Sequence, residues 1–105
     1  MRHGEVRNAT LPRAIKSRPV LILSRDSMPA RRPEITVAYL TTKSRFSPVE
    51  VRLTTADDGV DEDCVVNLDS INTISKRKIG ELVCTLTAAK MAEVKAAILF
   101  ALDLT

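Results

Sequence analysis

Arg18 heads the run Arg18-Pro19-Val20-Leu21-Ile22-Leu23-Ser24, a cation and a proline leading into four apolar residues. Thr41 and Thr42 close a second run, Ile35 to Thr42, and Asp69 follows a third, Cys64-Val65-Val66-Asn67-Leu68. A guanidinium grips a phosphate through two parallel hydrogen bonds and offsets negative charge as it builds up. A hydroxyl can donate to a second phosphate oxygen, and a carboxylate can take a proton from a sugar 2′-OH. One Arg, two Thr and one Asp gathered at strand ends would therefore suit phosphodiester chemistry without a metal. Plainer readings stand beside this one. An Arg before a strand suits a solvated surface, Thr-Thr suits an ordinary strand end, and Asp69 before Ser70 suits a turn.

The residue inventory excludes several other chemistries. One His and two separated Cys are too few for a zinc set. The glycine patterns of P-loops and Rossmann folds are missing, as are the serine-hydrolase elbow and His-Glu-x-x-His. No metal and no cofactor are expected. His3 lies near the start of the chain and is expected to be solvated. Cys64 and Cys84 sit in apolar runs and read as reduced core thiols.

The elements that must position these residues are short. Pro19 has no N–H, so it fits the first position of a strand and favours an extended Arg18. Residues 35–42 form a strand with Ile35, Val37, Tyr39 and Thr41 on one face and Thr36, Ala38, Leu40 and Thr42 on the other. Both faces are largely apolar, which places it centrally in a sheet. Val49, Val51 and Leu53 alternate inward. Residues 64–68 and 81–84 are further strands, residues 7–17 and 54–63 are loops, and residues 75–80 form one capped turn ended by glycine. The single long helix starts at Thr87, an N-cap, with Leu86 placed to staple on Met91, and runs to about Leu102. Successive short strands without crossover helices predict a mainly β fold with a C-terminal helix, its antiparallel sheet curled into a small SH3-like barrel.

The chain has 105 residues, 45% hydrophobic and 28% charged, consistent with one domain spanning 1–105. Its net charge of +3 is unevenly spread: cations dominate up to residue 52 and acids after it. A basic half points to a polyanion or an acidic partner. No signal-like or membrane-length apolar run is present, so a cytoplasmic protein is expected.

Taken in order, several segments resemble the MazF/PemK toxins, the ribonuclease half of prokaryotic toxin–antitoxin pairs. They are Gly4-Glu5-Val6, the Arg18 to Ser24 run, Val37-Ala38-Tyr39-Leu40-Thr41-Thr42, Val65-Val66-Asn67-Leu68-Asp69-Ser70-Ile71 with Thr73, and Gly80-Glu81-Leu82 before Thr85-Leu86-Thr87. The resemblance implies a homodimer that cleaves single-stranded RNA at short sequences without a metal. Attack by the adjacent 2′-OH would leave a 2′,3′-cyclic phosphate and a 5′-OH. It assigns catalysis to Arg18, Thr41 and Asp69. Substrate contacts are expected from Arg7, Arg13, Lys16, Thr42, Lys43, Arg45 and Asn67, the last standing where some members carry an Arg. An antitoxin with an acidic, extended tail would compete for the same basic surface. The first loop is shorter than in most members, and with no Trp the nearby stacking residues are Tyr39 and Phe46. Two other activities fit the same residues: a basic barrel that binds RNA or protein without cutting, and a gyrase-directed toxin of the same fold.

Overall fold

The computed structural model describes residues 1–11 and 16–104. Its order is β1 (Glu5–Ala9), β2 (Arg18–Ile22), β3 (Glu34–Thr41), β4 (Glu50–Leu53), α1 (Thr55–Asp58), β5 (Cys64–Ser75), a 3₁₀ turn (Lys76–Lys78), β6 (Ile79–Thr85) and α2 (Ala88–Ala101).

β2 and β3 are buried on both faces because their sequences are apolar at nearly every position. Leu21, Ala38 and Leu40 point to one core, with Val6, Leu53, Val66, Leu68 and the inner face of α2, Val94 and Ala97. Val20, Ile22, Ile35 and Val37 point to a second core on the other side. Leu11, Met28, Tyr39, Ile74 and Ile79 partly cover that second core. Full burial of each such side chain contributes about 1.5–3 kcal/mol, so the two middle strands are the best-anchored part of the sheet.

The strands form one sheet of order β4-β5-β3-β2-β1-β6, with each neighbouring pair antiparallel. The sheet is open. This corrects the expectation of a small SH3-like barrel: β4 and β6 are the two outer strands and do not pair. The segment after β4 supplies the physical reason. Thr54 caps α1 by accepting from Asp57 N, and Gly59 ends it at φ +85. The turn then lies against β6, so close that a Cβ on Gly59 would sit 3.3 Å from Cys84 Cβ. The chain after β4 thus meets β6 through a turn and not through strand pairing.

Other elements differ in extent from the sequence reading. β1 continues through Asn8 and Ala9, where a loop was expected, because those residues pair with Pro19 and Arg18. β5 is one strand of 12 residues. The turn after it ends at Ile79, and Gly80 belongs to β6. α2 begins as expected: Thr87 Oγ1 accepts from Lys90 N at 3.1 Å, and Leu86 is buried.

Candidate functional site

Two strand ends make the site. The register of β2 on β3 sets Val20 opposite Tyr39, Leu21 opposite Ala38 and Ile22 opposite Val37. The ladder between β2 and β3 ends at Val20 and Tyr39, and Arg18 and Thr41 lie two residues beyond it on the two strands, where alternation gives them the same face as that pair. Pro19 keeps the head of β2 extended without requiring a donor there.

Both residues line a groove of about 540 Å³. Lys16, Ser17, Thr42 and Lys43 line it beside them, with Tyr39 and Leu40 beneath. Arg18 is exposed and makes no ion pair among the described residues. Its guanidinium is therefore available to an anion. Thr41 Oγ1 accepts from Lys43 N at 3.1 Å, which fixes the hydroxyl oxygen and leaves its proton free to donate elsewhere.

Of the residues expected in the site, the groove gathers Arg18, Thr41, Lys16, Thr42 and Lys43. Arg13 lies outside the described residues. Four others stand elsewhere. Arg7 Nε donates to Glu5 Oε1 at 2.8 Å and its NH1 to Gly80 O at 3.0 Å, tying β1 to β6. Glu5, the one buried charged residue among the described residues, is held below the usual carboxylate range chiefly by that guanidinium, against the opposing effect of burial. Residues two apart share a strand face, so this pairing was readable from Glu5-Val6-Arg7.

Asp69 and Asn67 are displaced by a register jump. Ala38 pairs with Ile71, but the next residue, Tyr39, pairs with Asn67. Leu68, Asp69 and Ser70 are thus left without β3 partners. Asn67 braces the bulge, its Oδ1 accepting from Asp69 N at 2.9 Å and its Nδ2 donating to Ser70 Oγ at 3.3 Å. Asp69 is exposed on that bulge and is not a groove residue. Arg45 also stands apart, its backbone N–H donating to both oxygens of Glu50 at 3.0 Å.

The groove's own carboxylates are Asp61 and Glu62, with Cys64 and Val60 on the same wall. The acidic stretch 54–63 read only as a loop, and its charge was the one available signal. Burial first, then neighbouring Cys84 and the acids of that stretch, push the Cys64 thiol up to about 11. Cys84 is raised too, again mainly by burial. Both cysteines are free thiols and poor nucleophiles at neutral pH. Among the described residues, no three His, Cys, Asp or Glu side chains converge as metal ligands, and no helix is long and apolar enough to cross a membrane.

The sequence profile of the PemK-like, MazF-like toxins of type II toxin–antitoxin systems matches residues 2–102. The chain belongs to this family. A probable endoribonuclease MazF2 of Mycobacterium tuberculosis is 36% identical over 93 residues, covering 89% of each chain. The solved structure of the Mycobacterium tuberculosis toxin MazF-mt6 superimposes with a TM-score of 0.85 at 33% identity, over 96% of this chain and 98% of that one. A mycobacterial endoribonuclease solved in complex with its cognate antitoxin gives a TM-score of 0.88 at 27% identity, over 100% of this chain and 97% of the other. The MazF/PemK resemblance seen in the ordered motifs thus extends along nearly the whole chain and to its three-dimensional structure.

Proposed function

We propose that this member of the toxin-type endoribonucleases cleaves single-stranded RNA in the groove between the heads of β2 and β3, through the 2′-OH. The observation that carries the reading is the convergence of Arg18 and Thr41 on one groove, flanked by Lys16 and Lys43. Arg18 clamps the non-bridging oxygens of the scissile phosphate and offsets the charge that builds on them. Thr41 donates to one of those oxygens. The 2′-oxygen attacks phosphorus and the P–O5′ bond breaks, giving a 2′,3′-cyclic phosphate. The 2′-OH proton passes to a groove carboxylate, Asp61 or Glu62, and the departing 5′-oxygen takes a proton from water. Arg18 acts throughout as a charge clamp and hydrogen-bond donor and moves no proton. Asp69, out on the β5 bulge, is given no part in the step.

Two partners belong to the same proposal. An antitoxin with an extended acidic tail would pair with Lys16, Arg18 and Lys43 and so exclude RNA. A second copy of the chain would cover exposed apolar residues such as Phe100, Leu102 and Leu104 at the end of α2.

The test is cleavage of a long unstructured RNA in EDTA, with analysis of the new ends. Cyclic phosphate and 5′-OH ends are expected from the wild type. Arg18→Ala is expected to cut about 10²–10³-fold more slowly, the usual loss when one donor to a developing oxyanion is removed. Intact RNA with clean wild-type protein, or normal cutting by Arg18→Ala, would overturn the proposal. RNA bound but uncut would point to a binding protein, and growth arrest with damaged DNA to a gyrase-directed one.

A further inference from the structure

Phe46 is the most conspicuous side chain that the groove does not use. It is 86% exposed and sits at φ +52. A bulky residue in the left-handed region is an outlier that local structure must hold in place. That structure is the Glu50 carboxylate at the head of β4. It accepts from Ser44 Oγ at 2.9 Å, from Arg45 N at 3.0 Å and from Ser47 N at 3.4 Å, while Phe46 N donates to Ser44 Oγ at 3.2 Å. These donors, the Arg45 N–H foremost, hold Glu50 below the usual carboxylate range. The loop is thus tied down on both sides of Phe46, with the ring left in solvent. Beneath the ring lies Arg52, its guanidinium carbon 6.0 Å from the centroid, at the limit of cation–π reach.

We infer that the Phe46 ring, backed by Arg52, is a stacking platform for one unpaired nucleobase of an RNA whose phosphate lies in the adjacent groove. The inference rests on the RNA-cleaving reading above and names a contact beyond it. Only Ser44 and Arg45 lie between Phe46 and Lys43 on the groove wall, at most about 11 Å of chain. A strand that leaves the groove past Lys43 would come within reach of the ring. Arg52 occupies one face and the other is open. A base on the open face completes an arginine–phenylalanine–base stack, with little ordering of the loop still to be done. Stacking accepts any base, because every base has a π-face. Phe46 thus adds affinity and fixes the RNA's position, and hydrogen bonds inside the groove are left to read sequence.

The experiment uses a fluorescein-labelled, unstructured 20-nucleotide RNA, 2′-O-methylated throughout so that it binds without being cut. Its Kd is measured by anisotropy at fixed salt. Phe46→Ala is expected to bind about 5- to 100-fold more weakly, the range for losing one base–aromatic stack. Phe46→Trp is expected to stay within about 2-fold of wild type. Phe46→Gly is expected to bind as weakly as Phe46→Ala while melting at or above the wild-type temperature, since glycine takes positive φ without strain. In an RNA carrying 2-aminopurine, quenching at one position should vanish in Phe46→Ala and persist in Phe46→Trp. Unchanged affinity in Phe46→Ala would overturn the inference, as would a loss of melting temperature in Phe46→Gly. Changed self-association with unchanged RNA affinity would reassign the ring to a protein contact. Wild type that neither binds nor cuts RNA sinks the functional reading itself, whereas wild type that cuts with Phe46→Ala binding normally sinks only the platform.

Discussion

Removing the Arg7 guanidinium separates a structural cation from an RNA-binding one. Arg7 was expected to touch substrate, yet its side chain is only 23% exposed and that of Glu5 only 11%. In Arg7→Gln, Glu5 keeps the Arg2 N–H donor at 2.9 Å but loses the 2.8 Å charge-assisted bond, and Gly80 O loses its 3.0 Å donor. Hydrogen bonds to charged groups contribute about 1.5–3 kcal/mol each, and the partial exposure of Arg7 favours the lower end, so a loss of about 2 kcal/mol is expected. For a domain of this size that is a drop of about 8–16 °C in melting temperature. The acid limb supplies a second readout. Glu5 titrates below its usual 4.5 in the folded protein, so its contribution is complete above that value and lost as pH falls through the folded pKa. Arg7→Gln should therefore unfold at a higher pH on acid titration, and Glu5→Gln should remove that part of the pH dependence. RNA affinity per folded molecule, measured well below the new melting temperature, should stay within about 2-fold. An Arg7→Gln protein of unchanged melting temperature but 10-fold weaker RNA binding would refute the reasoning.

Two further predictions concern the groove and its wall. Asp69→Asn should cut RNA at near the wild-type rate, whereas Asp61→Asn with Glu62→Gln should lower kcat by about 10²–10⁴-fold. The reverse pattern would return the base to the β5 bulge. Cys64, with its thiol raised to about 11, should be about one part in a thousand thiolate at pH 8 and alkylate correspondingly slowly in the native protein. Because the folded pKa is the higher one, stability should fall as pH climbs past 9, and rapid native labelling of Cys64 at pH 8 would contradict the assignment.

The sequence revealed the groove's positive side because its signals were local. Pro19 marked the head of β2, unbroken apolar runs marked β2 and β3 as doubly buried, and Thr87 marked the start of α2. What it concealed depends on contacts across long separations. The bulge that carries Asp69 outward comes from a jump in pairing between β3 and β5, and no residue type in Asn67-Leu68-Asp69-Ser70 announces it. The open sheet depends on a turn at Gly59 lodging against Cys84, 25 residues on. The lengths of β1 and β6 were underestimated because their polar residues, such as Arg7 and Asn8, point to solvent or to each other's strand. The MazF/PemK motifs compensated for part of this, since an ordered series carries topology that periodicity alone does not.

The unjoined edges of β4 and β6 oblige the chain to protect itself. An unpaired backbone edge invites a stranger's strand, and repeated addition of that kind ends in aggregation. β4 answers by being four residues long and carrying Glu50 and Arg52, with Pro48 just ahead of it. β6 answers with Glu81 and with irregular pairing to β1 at two points, which disturbs the straight ladder an intruder would copy. Substituting apolar residues at Arg52 and Glu81 should therefore leave the monomer's packing intact while making it grow into ribbons at high concentration.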